Sequence, residues 1–117
     1  MKNNIQYFDQ MKESSFLSWF DTTLEGEEVT IADYEPIDIE TKTGETEKKW
    51  AVYFEEKEKP ILLNKTNRNT LSQLFGGRLD QSIGKKVTLY FRDDIEFQGK
   101  QTKGLRLKPA RREAALI

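Results

Sequence analysis

Cysteine and histidine are both missing from the 117-residue chain. Without thiols there is no disulfide, no thiolate nucleophile and no cysteine-bound zinc, and without imidazole the most common acid/base group is gone too. A metal would have to be held by carboxylates alone. The chain therefore reads as non-catalytic, with no cofactor. Long apolar runs are equally absent. The start, MKNNIQYFDQMKESS, lacks an apolar segment of signal-peptide length, and no stretch approaches the roughly 20 apolar residues of a bilayer-spanning helix. A soluble cytoplasmic protein is expected.

The charge is abundant and sorted by position. Residues 1–60 hold 7 Lys and 15 Asp/Glu, whereas residues 61–117 hold 12 Lys/Arg and 5 acids. The formal net charge of −1 thus conceals a basic half able to face a polyanion. Hydrophobic residues make up 36% and charged residues 33%, so a chain of this size reads as one domain with a small core and a heavily charged surface. Residues 1–13 show no sustained period and read as an N-terminal arm, with a β-rich body over about 15–108 and a tail over 109–117.

SFLSWF at 15–20 fits either a strand or a helical turn, with Trp19 and Phe20 assigned to the core. From Glu28 the pattern is one of strands. VTIADYEPIDIET predicts a long strand bent at a bulge near Pro36, because proline removes a ladder donor. A polar connector containing Gly44 follows. In KWAVYFEE, period two sets Trp50, Val52 and Phe54 on one face, which assigns Trp50 to the core, and Lys49, Ala51 and Tyr53 on the other. ILL at 61–63 is a short buried strand. Asn64 or Thr66 can cap a helix whose Leu71, Leu74 and Phe75 share a face and which Gly76 and Gly77 stop. GKKVTLYFRDD alternates Val87, Leu89 and Phe91 against Lys86, Thr88, Tyr90 and Arg92, and the rest is a hairpin turning near Gln98, Gly99 and Lys100. Three strands, a helix and two strands, the first strand long and bent, is the order of an OB-fold, a five-stranded Greek-key barrel with a helix between strands 3 and 4. A ferredoxin-like fold would need a helix between the first two strands.

Binding a single strand of nucleic acid requires cations to track phosphates and aromatic faces on which bases stack. Outward positions supply both. Lys86, Tyr90 and Arg92 stand out on one strand, Lys49 and Tyr53 on another, and Arg106 and Lys108 on the last. Phe97, Lys100 and Lys103 belong to the hairpin that joins the final strands, a region OB-folds use for ligands. Tyr53 and Tyr90 are the stacking candidates, although a tyrosine at such a position also serves simply to cover a sheet. Phe97 either reaches the ligand or plugs the barrel mouth. Asp93, Asp94 and Glu96 form a local acid cluster in the basic half. Their spacing fits an ordinary strand exit and carries no catalytic specificity. GKQTKG is not a phosphate-cradling loop, since strand, GxxxxGK[ST] and helix do not occur together.

KPILLNKTNRNTLSQLFGGRLDQSIGKKVTLY followed by QGKQTKGLRLK resembles small proteins of phages that infect Gram-positive hosts, most closely the lactococcal-type phage single-stranded DNA-binding proteins. The resemblance spans roughly residues 48–108 and rests on structural motifs. It implies an OB-fold protein of the host cytoplasm that coats single-stranded DNA in phage replication or recombination, beside recombinase or replication proteins, as a homodimer. One departure is the end of the chain. PARREAALI is basic and then apolar, where bacterial counterparts carry an acidic recruiting tail. An alternative reading is a protein-binding accessory module presenting Glu25, Glu27, Glu28, Glu35, Asp38, Glu40, Glu45 and Glu47 to a basic host or phage protein.

Overall fold

A computed structural model describes residues 15–110; the arm expected at 1–13 and residues 111–117 of the tail lie outside them. Five strands and one helix follow in the expected order: β1 (Glu27–Glu40), β2 (Thr46–Phe54), β3 (Ile61–Leu62), α1 (Lys65–Leu74), β4 (Lys86–Phe97) and β5 (Lys100–Pro109). Of the two alternatives for SFLSWF, the helical turn forms: the segment ends in a 3-10 turn at Trp19–Asp21, and a second such turn lies at Leu79–Ser82. The fold is mainly β. The strands form one antiparallel sheet in the order β3-β2-β1-β4-β5. Its end strands, β3 and β5, do not pair, so the sheet is not closed.

The long β1 serves two partners. Residues 27–30 pair with β4, and residues 31–40 pair with β2. The register slips between Ile31 and Asp33, so the bulge sits at Ala32 rather than near Pro36. Pro36 lies opposite Trp50 in regular register, and its other side has no strand neighbour, since β4 pairs only with residues 27–30. A residue without an N–H is tolerated beside such an open edge. The parting point is pinned by side chains as well. Glu56, just past β2, accepts hydrogen bonds from the Thr30 N–H at 2.7 Å and the Thr30 hydroxyl at 2.8 Å, while the Glu55 N–H donates to the Thr30 carbonyl at 2.9 Å.

Inside the curve of the sheet lie Val29 and Ile31 from β1, Val52 and Phe54 from β2, Ile61, Leu71, Val87 and Leu89, and Leu107 from β5. Those on β1, β2 and β4 alternate as period two demands, and Leu71 comes from α1. Truncating a buried leucine such as Leu89 to alanine costs roughly 2–5 kcal/mol. Helix α1 packs against β5. Asn64 caps it, its side-chain oxygen accepting from the Asn67 N–H at 2.8 Å. The Gly77 N–H donates to the Ser72 carbonyl at 2.8 Å, with Gly76 and Gly77 at φ 65° and 80°, a left-handed stop that glycine allows. Asn67, itself buried, donates from Nδ2 to the Leu105 carbonyl of β5 at 3.1 Å, tying the helix to the far end strand. Among the described residues, no helix is long and apolar enough to cross a membrane.

Candidate functional site

Strands β4 and β5 form a twelve- and ten-residue ribbon whose outer face collects most of the expected residues. Its turn is the pair Gln98 and Gly99, at φ 52° and 78°, the two left-handed residues of a type I′ hairpin whose twist suits antiparallel strands. Register places Thr88 beside Lys108, Tyr90 beside Arg106 and Arg92 beside Gly104. The Lys108 ammonium lies 4.4 Å from the centre of the Tyr90 ring. This contact holds the ring on the surface and sets a positive charge against it.

A bulge then changes which residues share this face. Between Arg92 and Ile95 the β4 strand carries one more residue than β5. The extra residue reverses the alternation. Ile95 and Phe97, at odd positions like the inward Val87 and Leu89, turn outward opposite Thr102 and Lys100. A Cβ on Gly104 would lie 2.9 Å from Ile95 Cδ1 and 3.2 Å from Arg106 Nη1. The missing side chain leaves room for both. Arg106 lies across that space and donates from Nη1 to the Leu105 carbonyl at 2.7 Å. The ring of Phe97 is 65% exposed, so it does not plug the sheet's interior.

The outer face thus runs Lys86, Lys108, Tyr90, Arg106, Arg92, Phe97 and Lys100. Two of these cations are partly neutralised. Lys86 is 3.7 Å from Glu28, and Arg92 binds Asp94 with both Nε and Nη2, at 2.9 and 3.0 Å. The hydrogen bonds from Arg92 hold the Asp94 carboxyl below the usual carboxylate range, so this acid stays charged. Lys100, Arg106 and Lys108 have no acid partner among the described residues. Together the face offers flat π-surfaces between positive charges.

Three expected residues stand elsewhere. Lys103 carries its charge to the opposite face, 4.9 Å from the ring of Trp19, which in turn packs 5.4 Å from Phe91. Lys49 and Tyr53 lie on β2, separated from β4 and β5 by β1. Lys49 is 3.8 Å from Glu47. Tyr53 donates its hydroxyl to Glu35 and sits opposite Asp33; the Glu35 hydrogen bond first, then burial and the two acid charges, raise its pKa. Its surroundings are acidic. Among the described residues, no three carboxylates converge to hold a metal ion.

Trp50 corrects the expectation that it belongs to the core. Its side chain is 38% exposed. It does share a face with Val52 and Phe54, but β3 has two residues and ends opposite Ala51 and Val52, so the core stops one step short of it. Period two assigns a face and is silent on how far the covering layer extends. The ring lines a groove of about 620 Å³ between β2, α1 and the loop that follows the helix. Lys48, Lys65, Arg68 and Arg78 also line it. Of the expected residues, Lys49 lines it too; sequence reasoning missed the rest of this group, for which the basic helix start NKTNR was a signal.

Comparison with protein-family models, with curated proteins and with solved structures finds no match to this chain.

Proposed function

We propose that the protein binds single-stranded DNA without sequence preference, as a non-catalytic accessory of phage DNA replication or recombination, on the outer face of β4 and β5. The observation that carries this reading is the alternation of cations and rings on that face, with Lys108 against Tyr90 and Phe97 bared beside Lys100. Cations follow a phosphate backbone and rings accept bases of any identity. Among the described residues, no helix lies on that face to read a base edge. The strand order, with β1 shared between two sheet halves and a helix between the third and fourth strands, supports an OB-fold whose closing pair is open. The motifs resembling phage single-stranded DNA-binding proteins agree with this reading, which includes the host cytoplasm as its compartment and a homodimer as its assembly.

The magnitude of the electrostatic part follows from the side chains. With Lys100, Arg106 and Lys108 each meeting one phosphate, the salt slope is about −2, because each phosphate contact on a single strand contributes about 0.7. Affinity then falls roughly 20-fold between 50 and 200 mM salt. Anisotropy of a labelled oligo-dT, with a duplex as control, tests this. Salt-sensitive binding that favours the single strand is expected, and Tyr90→Ala weakens it by roughly 1–3 kcal/mol per lost stack. Equal binding to the duplex, or a complex indifferent to salt, counts against the proposal.

The acid-rich β1 and β2 surface supports a second reading, a docking face for a basic protein. Asp33, Glu35 and Tyr53 lie together there. A stable protein complex without any oligonucleotide binding would favour it over the first.

A further inference from the structure

We propose that the groove beside Trp50 is a second contact for the same single strand, holding one nucleotide with its base against the indole and its phosphate among the cations of α1. The inference rests on the single-strand reading above but concerns a separate surface. The groove's volume of about 620 Å³ falls within the roughly 300–1,000 Å³ of sites that enclose small ligands. Its chemistry is specific. One wall is the half-exposed Trp50 ring, which rests on Tyr34 with centroids 5.9 Å apart. Leu71 and Phe75 also line the groove, as do Lys48, Lys49, Lys65 and Arg68.

Charge decides the class of occupant. Lys48, Lys65 and Arg68 have no ion pair among the described residues, whereas Arg78 is committed to Asp80 at 2.7 Å. The acid in the lining, Glu47, faces Lys49 at 3.8 Å. An anion is therefore attracted, and a bare aromatic plane adds a preference for a flat, π-bearing group beside that anion. A nucleotide unit has both parts. An acidic peptide offers the charge but leaves the indole without a stacking partner, which is why the nucleic acid is favoured.

Trp50 itself reports on occupancy. In a Trp19→Phe protein it is the one remaining tryptophan, so its emission can be followed as oligo-dT is added, alongside anisotropy of the same oligonucleotide. Quenching that saturates with binding is expected. Trp50→Ala should weaken binding on the order of tenfold, as for one lost base stack. Arg68→Ala, which leaves the reporter in place, should weaken both signals together. Unchanged Trp50 emission while anisotropy shows the oligonucleotide bound would overturn this inference and leave the β4 and β5 reading intact. Binding that survives Tyr90→Ala and Arg106→Ala but is lost in Trp50→Ala would do the reverse. Absence of any oligonucleotide binding removes both. Quenching by polyglutamate and not by oligo-dT would overturn the nucleotide assignment in favour of an acidic peptide.

Discussion

Asp94→Asn should make the protein bind single-stranded DNA more tightly. In the native protein Asp94 grips Arg92 through two hydrogen bonds of 2.9 and 3.0 Å, at the bulge where β4 changes face. The amide keeps the size of the carboxylate and one acceptor but removes the charge, so Arg92 becomes available to a phosphate. Each added phosphate contact steepens the salt slope of a single strand by about 0.7, here from about −2 to nearly −3. Between 50 and 200 mM salt the variant should lose a further two- to threefold in affinity relative to wild type, from a tighter starting point. Because the Arg92 hydrogen bonds depress the Asp94 carboxyl, mild acid does not mimic the substitution. Exposed ion pairs add little to stability, so the melting temperature should barely move. Anisotropy with oligo-dT at four salt concentrations supplies the slope. An unchanged slope and affinity would refute the claim that Arg92 lies on the path of the strand.

Two further predictions concern the scaffold of the site. Glu56→Ala removes both bonds to Thr30 at the parting of β1 and should lower stability by about 1 kcal/mol after allowance for solvent, read as a lower denaturation midpoint. Burial pushes the Glu56 carboxyl up, but the two Thr30 hydrogen bonds and the Lys86 charge leave it below the usual range. A group depressed in the folded state stabilises above its unfolded pKa, so this contribution should fade in acid as pH falls through the folded value. Stability in Glu56→Ala that still declined in acid as steeply as wild type would contradict it. Gly104→Ala should fold normally, since the atoms it meets are the ends of Ile95 and Arg106, yet weaken oligonucleotide binding by displacing that guanidinium; unaltered binding would show that the Arg106 position is unimportant.

The order of elements was legible because each carries its own local signal. Alternation marks the strands, Asn64 and the two glycines bound the helix, and Gln98 with Gly99 makes the turn. Site residues on β4 and β5 could be gathered by parity as far as Arg92. Beyond it the bulge shifts the count by one, and only the register opposite β5 reveals that Phe97 joins Tyr90. The placement of the first bend failed for a related reason. Proline signals a missing donor, whereas the slip at Ala32 arises because β1 must leave β4 and turn to β2, a tertiary demand with no local mark. Tyr53 illustrates the limit of outward parity. The expected face is correct, but its neighbours on β1 are acids, and cross-strand neighbours depend on register. The groove at Trp50 brings together residues from β2, the helix and the following loop, and no spacing within one segment encodes it.

Whether the outer face of β4 and β5 carries the strand is tested most directly by a titration of ¹⁵N-labelled protein with unlabelled oligo-dT, followed by amide chemical shifts. Changes at Tyr90, Arg92, Phe97, Lys100, Arg106 and Lys108, fading as salt is raised, are predicted, with those at Trp50 and Arg68 reporting the second contact. Changes confined to the acidic stretch from Asp33 to Glu40, or none at low salt, would contradict it.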